Sequence, residues 1–275
     1  MGQHSSVNWL SLWVEAARPK TLWASLSPVI LGTGISAFVY EWEPLKSLAC
    51  AVVALALQIA VNFANDADDA ESGVDSQARQ GPRRLVASGL ISKFQMRLAV
   101  GLCLLLAAAT AFWAVPFYRV EVWIAGALAM VAALTYTGGR LAYGYRGLGE
   151  VLCFIFFGPV AVVGTVIVSC GFYSYEALWL GCASGFLSVA LLEVNNLRDL
   201  DGDKAAGKLT LAARFGRKLG LQIYKWCWFL AMIFTSFITY VFFWVWLSVL
   251  VLLFFGARLT AHLSNAKPND AKGHN

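Results

Sequence analysis

Charge is scarce in this chain. Only 13% of its 275 residues are Asp, Glu, Lys or Arg, against about 25% in an average soluble protein. A water-soluble globule covers its surface with polar groups, and this sequence does not hold enough of them. With 59% hydrophobic residues, intrinsic disorder is excluded. The net charge of +5 is modest and argues against a nucleic-acid-binding surface. Histidine is nearly absent: His4, His262 and His274 lie at or near the chain ends, which leaves few candidates for a histidine base or a histidine-held metal. Cysteine pairs are missing too. Cys50, Cys103, Cys153, Cys170, Cys182 and Cys227 all fall in apolar stretches without a C-x-x-C. That argues against a disulfide framework or zinc site, and they read as small apolar fillers.

What the chain has instead is long apolar runs. A bilayer-crossing helix needs about 20 mostly apolar residues. Uncharged windows of that kind run over 21–40, 47–65, 98–118, 122–139, 151–170 and 177–192. The first is introduced by Arg18-Pro19-Lys20 and lacks a small-residue cleavage site, so it reads as a retained span rather than a signal peptide. Residues 219–257 accommodate two further helices if a tight turn falls near Thr239-Tyr240 and Lys225 snorkels to the headgroups.

The distribution of basic residues supports that division. With eight helices, eighteen of the 21 Lys and Arg residues fall on the side of both termini, and only Lys46 and Arg119 fall clearly on the other. The positive-inside rule then makes both termini cytoplasmic. Seven helices with an exported tail is the alternative. Residues 8–17 place Trp9 and Trp13 four residues apart, which suits a short interfacial helix or a loop with two interfacial tryptophans. The fold class is therefore all-α: one polytopic membrane domain over 1–275, about eight transmembrane helices in two four-helix halves around a central cavity. It has an interfacial segment at 1–20, motif-bearing cytoplasmic loops at 66–97 and 197–218, and a polar tail at 263–275.

The acids concentrate in two places. Asn62, Asn65, Asp66, Asp68, Asp69, Glu71 and Asp75 close the second span; Asn195, Asn196, Asp199, Asp201 and Asp203, with Arg198 among them, close the sixth. Asn62 precedes Asn195 by 133 residues, and the sixth helix comes four spans after the second, as expected of two similar halves. Asn62, Asp66 and Asp69 stand at i, i+4, i+7, and Asn195, Asp199 and Asp203 at i, i+4, i+8, each set on one helical face. Like charges at that spacing repel by a few tenths of a kcal/mol per pair, so a counter-ion is expected. Magnesium is the natural one, because it takes oxygen ligands and is usually held by one or two carboxylates plus substrate phosphates. Basic residues follow both clusters: Arg79, Arg83 and Arg84 after the first, Lys208, Arg214 and Arg217 after the second. Carboxylates that hold metal, beside guanidiniums that clamp phosphate oxygens, make a diphosphate site.

These motifs resemble those of the UbiA superfamily of intramembrane aromatic prenyltransferases, with the closer similarity to the branch acting on 1,4-dihydroxy-2-naphthoate in menaquinone synthesis. The resemblance rests on four segments between residues 18 and 216: Arg18-Pro19-Lys20 onward, Asn62 to Asp75 with Gly81-Pro82-Arg83-Arg84, Tyr143 to Glu150, and Asn195 to Gly216. Glu150 stands where that family usually has aspartate. The family commonly has nine helices.

The resemblance implies magnesium-dependent transfer of a polyprenyl group from its diphosphate to an aromatic acceptor, with loss of carbon dioxide in the naphthoate branch to give demethylmenaquinone. It implies metal-holding and catalytic roles for Asp66, Asp69, Asp199 and Asp203. Arg84, Arg198 and Lys208 become diphosphate clamps. Asn62, Asn65, Asn195 and Asn196 belong to the binding site, where asparagines hold carboxylates and metal-bound waters in place. Tyr136, Tyr143 and Tyr145 are candidates to face the allylic cation, Tyr136 also pairing with Arg140 in a tyrosine–basic pattern. Lys20 or Arg140 would meet the anionic acceptor. A different acceptor, such as 4-hydroxybenzoate, would share both aspartate motifs. A transporter would place its ionisable residues near the bilayer midplane, whereas here both acidic motifs lie at helix ends.

Overall fold

The computed structural model describes residues 8–39, 41–72, 83–138, 142–237 and 245–265. Among them there is no strand. The chain opens with α1 (Trp9–Ala17), α2 (Pro19–Val39), α3 (Pro44–Ser72), α4 (Lys93–Ala114) and α5 (Val120–Thr135). A single 3₁₀ turn at Tyr143–Tyr145 leads into α6 (Gly149–Ile155), which passes through a π-helical segment, Phe156–Val160, into α7 (Ala161–Cys170). Then come α8 (Tyr175–Arg198), the short α9 (Leu200–Ala205) and α10 (Leu211–Phe215), and finally α11 (Arg217–Ser236) and α12 (Val245–Asn265).

Among the described residues, five helical stretches are long and apolar enough to cross a membrane: Pro19–Phe38, Pro44–Ala70, Lys93–Ala114, Gly149–Cys170 and Tyr175–Arg198. Val120–Thr135 and Leu250–Ala261 are shorter apolar helices. Large apolar side chains point outward along most of them, among them Trp23, Phe38, Leu105, Phe112 and Phe254. That is the surface of a protein solvated by lipid. Within 219–257 the described residues form parts of two helices, α11 and α12; the turn expected at Thr239-Tyr240 lies outside the described residues.

The expected loops are more ordered than their polarity suggests. α3 has 29 residues, about 43 Å at ~1.5 Å per residue, against roughly 30 Å of hydrocarbon. Its last turns therefore carry the first acidic cluster as helix, through Ser72, rather than as the expected loop from 66 onward. Residues 83–92 then fold back onto the helix ends: Leu85 and Ile91, with Met96 of α4, are almost fully buried against Leu12, Ala16, Phe63 and Ala67. α1 packs on α3 through this cluster, with Trp13 edge-on to Phe63 at 5.5 Å. The segment 8–17 is thus a helix that both covers the motif end of α3 and exposes Trp9 and Leu10.

α3 packs along α4, and α8 along α11, so each acid-bearing helix has a long partner. The α6–α7 kink has a clear cause. Pro159 lacks a backbone donor, and Gly158 sits at φ −117°, ψ −109°. There the backbone crosses α8 so closely that a Cβ on Gly158 would lie 2.6 Å from the Gly181 carbonyl and 2.7 Å from the Gly185 Cα. Small residues at such crossings let helix backbones approach. Both obstacles are backbone and cannot swing away. We expect Gly158→Ala to destabilise the fold by about 1–3 kcal/mol, the usual cost of overpacking, seen as a lowered thermal midpoint in detergent.

Candidate active site

Between α2, α3, α5, α6–α7 and α8 lies a chamber of about 850 Å³, walled mostly by small and apolar side chains. Ala49 and Asn65 both line it. They are sixteen residues apart on one helix, about 24 Å of rise, so the chamber runs through most of a bilayer's apolar depth. At one end stand Thr21, Gln58, Asn62, Asn65, Tyr136, Tyr143 and Asn195. At the other end, Glu121 and Tyr173 line it. There Arg119 donates to the Gly171 carbonyl and pairs with Glu121 at 3.6 Å, while the Tyr173 hydroxyl donates to Glu121 at 2.8 Å. These contacts tie the α4–α5 turn to the α7–α8 turn.

Asn62, Asn65 and Asn195 bring both acidic motifs to the polar end, although none of the four motif aspartates lines the chamber itself. On α3, each oxygen of the buried Asp66 accepts a backbone N–H at 3.0 Å, from Leu85 and Val86. This holds the returning 83–92 segment against the helix and delivers Arg84 to Asp69, where guanidinium and carboxylate form a buried ion pair. Asp69 also accepts from the Tyr145 hydroxyl. Asp68 faces Arg97 at 3.6 Å.

The second motif departs from the continuous face that its spacing predicts. α8 ends at Arg198, Asp199 adopts φ −92°, ψ 8°, and Asp203 belongs to α9. The column nevertheless persists through the break, because the Asp199 N–H donates to Asn195 O at 2.9 Å and the Asp203 N–H to Asp199 O at 2.8 Å. Asp199 takes both arms of Arg198, at 2.8 and 2.7 Å. Asp203 is buried and faces the Lys208 ammonium at 3.4 Å.

Tyr145 joins the two motifs. Its hydroxyl is on Asp69, its ring lies 5.8 Å from the Lys208 ammonium, and its carbonyl accepts from the Leu209 N–H at 3.1 Å. The run Asp69, Tyr145, Lys208, Asp203 therefore spans from α3 to α9. Beneath it, Tyr136 and Tyr143 meet edge to face at 5.3 Å and 80°. Burial pushes the Tyr143 phenol well above its ordinary range, so this ring is neutral at any working pH.

The asparagines serve the scaffold as well as the chamber. Asn62 donates to the Ala17 carbonyl at 2.8 Å and to the Thr21 hydroxyl at 2.9 Å, fixing the α1–α2 corner onto α3. Asn65 accepts from the Thr137 hydroxyl at 2.7 Å, fixing the end of α5. Asn195 lines the chamber, whereas Asn196 is buried behind it and donates to Glu150 at 3.0 Å. Lys20 is exposed in the first turn of α2, and Arg140 lies outside the described residues.

No three acidic, cysteine or histidine residues come close enough to form a metal cage among the described residues. The aspartates instead pair with Arg84, Arg198, Lys208 and backbone amides. The donor set still suits a hard divalent cation that takes one or two carboxylates from each motif and its remaining oxygens from a diphosphate. Sequence reasoning missed one nearby acid, Glu193, which is fully buried. The available signal was a lone carboxyl inside an apolar helix, two residues before the motif begins.

The sequence profile of the UbiA prenyltransferase family matches residues 25–274. The 1,4-dihydroxy-2-naphthoate octaprenyltransferase of Mycobacterium tuberculosis is 39% identical over 221 residues, covering 78% of this chain and 73% of that protein. Its namesake in Escherichia coli is 36% identical over 210 residues, covering 74% and 68%. A UbiA homolog from Archaeoglobus fulgidus, solved bound to GPP and Mg2+, superposes with a TM-score of 0.73 at 14% identity, covering 94% of this chain and 91% of that one.

Proposed function

The chain belongs to the UbiA prenyltransferase family, and from that premise we propose that it transfers a polyprenyl group from polyprenyl diphosphate to 1,4-dihydroxy-2-naphthoate. The carboxylate is lost as carbon dioxide, diphosphate leaves, and the product is the quinol form of demethylmenaquinone. The naphthoate assignment rests on the relatives named above. The observation that carries the chemistry is a pair of acidic motifs, bridged through Tyr145 and Lys208, whose asparagines Asn62, Asn65 and Asn195 line one end of a long apolar cavity. A lipid diphosphate has that same division, a charged head and an apolar tail. On the positive-inside rule the motif end is cytoplasmic.

Asp66, Asp69, Asp199 and Asp203 are the residues that would hold magnesium, whose charge would offset the negative charge developing on the departing diphosphate. Arg84, Arg198 and Lys208, now paired with aspartates, are the side chains that turn toward phosphate oxygens. Such charge-assisted contacts strengthen as the C–O bond breaks. The small apolar walls keep water away from the allylic cation. Tyr136 and Tyr143 present their rings at the depth where that cation forms, and a neutral ring face attracts it. The acceptor ring carbon attacks the cation, and decarboxylation removes the need for a dedicated base at that carbon. Lys20 or Arg140 supplies the positive charge that meets the acceptor carboxylate.

Two results are expected. Magnesium together with a prenyl diphosphate should raise the thermal midpoint of the purified protein, and EDTA should abolish the shift; an equal shift in EDTA would sink the metal assignment. Tyr136→Leu should lower turnover by roughly tenfold or more, in line with about 2 kcal/mol for a desolvated cation over a ring, while Tyr136→Phe should be milder. Equal losses in the two variants would argue against a role for the ring face.

A further inference from the structure

Behind the chamber, α6 and α8 press two carboxyl groups together. Glu150 is 6% exposed and Glu193 is 0% exposed. The side-chain amide of Asn196 serves both, 3.0 Å from Glu150 Oε1 and 3.5 Å from Glu193 Oε1. The remaining oxygens, Glu150 Oε2 and Glu193 Oε2, are buried without a hydrogen-bond partner. α11 closes the site from the third side. A Cβ on Gly220 would lie 3.1 Å from Glu193 Oε2. The titratable neighbours are thiols and phenols: Cys153 on α6, Cys227 and Tyr224 on α11, and Tyr136 at the end of α5. Among the described residues no basic side chain pairs with either carboxyl.

Two ionised carboxylates cannot stand side by side in so apolar a place, and like charges that share a site retain a proton between them. A proton also resolves the bonding, since two carboxylates are both acceptors and the orphaned oxygens need a donor. We propose that Glu150 and Glu193 share one proton and act as a single positioning unit for the second acidic motif. The unit grips Asn196, one residue past the chamber-lining Asn195 and two before Arg198. Through that grip it fixes the end of α8 against α6 and α11. Neither carboxyl lines the chamber, so neither touches substrate. Removing the proton at alkaline pH leaves two adjacent buried charges, and the motif end should loosen.

Glu193→Gln supplies a permanent donor in place of the shared proton. This variant should keep prenyl transfer within a few-fold at neutral pH and should hold its thermal stability into the alkaline range where wild type loses it. Glu193→Leu, which fills the volume without a donor, should raise KM for the prenyl diphosphate and lower kcat; Glu193→Gln should restore both. Infrared spectra of wild type in nanodiscs should contain a protonated-carboxyl C=O band at neutral pH that Glu150→Gln/Glu193→Gln lacks. Superimposable alkaline stability curves for wild type and Glu193→Gln, with no such band difference, would overturn the proposal. The kinetic arm rests on the prenyl-transfer reading. The infrared and stability arms do not, so a protein inactive on naphthoate would still decide whether the pair shares a proton.

Discussion

Asp199→Asn should lower turnover by about 10²–10³, the range seen when one preorganised electrostatic contact to a developing charge is removed, while leaving the protein folded. The substitution keeps the shape and an acceptor for Arg198, which holds both oxygens of the native carboxylate at 2.8 and 2.7 Å. It removes the charge that a cation needs. Asp199 is only partly buried at a helix end, so the neutral amide carries little desolvation penalty. Turnover and the thermal midpoint measured on the same preparation check this. Retained activity would remove Asp199 from the metal-holding set.

The second large effect falls on Arg84. Its guanidinium and the Asp69 carboxylate are 6% and 7% exposed. Truncating one partner of a buried pair leaves an uncompensated charge and costs about 3–5 kcal/mol. Arg84→Ala should therefore both unfold the motif end and abolish transfer. Arg84→Lys should recover only part, because an ammonium lacks the planar fork. The double variant Asp69→Asn with Arg84→Met should regain most of the stability and none of the activity, since it removes the buried charges together with the functional groups. If the double variant regained activity, Arg84 and Asp69 would be scaffold alone. Thermal melts and turnover of the three variants distinguish these cases.

Much of this was legible in the sequence because lipid imposes a strong pattern. Apolar runs of bilayer length between charged turns located α2 to α8, and the balance of Lys and Arg divided 219–257 into parts of two helices. Spacing alone placed Asn62, Asp66 and Asp69 on one face of α3. It could not show that α8 stops at Arg198, because no proline marks the break; the motif chain continues into α9 with its i to i+4 bonds intact. Nor could it show that residues 83–92 are packed rather than solvated, since that depends on Leu85 and Ile91 meeting Leu12 and Phe63 from distant segments. Tyr145 stood among three candidates facing a cation, yet its hydroxyl is on Asp69 and its ring beside Lys208, away from the chamber lining. Asn62 and Asn65 were legible as functional types, but their bonds to the α1–α2 corner and to Thr137 are tertiary facts. Glu193 escaped notice because its partner, Glu150, lies 43 residues away in the chain.

The central claim is decarboxylating prenyl transfer to a naphthoate, and it is tested most directly by offering two acceptors to one preparation. Purified protein in nanodiscs would receive a labelled polyprenyl diphosphate and magnesium, with either 1,4-dihydroxy-2-naphthoate or 4-hydroxybenzoate, and EDTA in a parallel set. The account predicts prenylated, decarboxylated naphthoquinol in the first reaction, none in EDTA, and no product from the benzoate. Prenylation of 4-hydroxybenzoate alone would contradict the naphthoate assignment. Absence of product from both acceptors, in protein whose thermal midpoint responds normally to magnesium and diphosphate, would contradict the assignment to either acceptor.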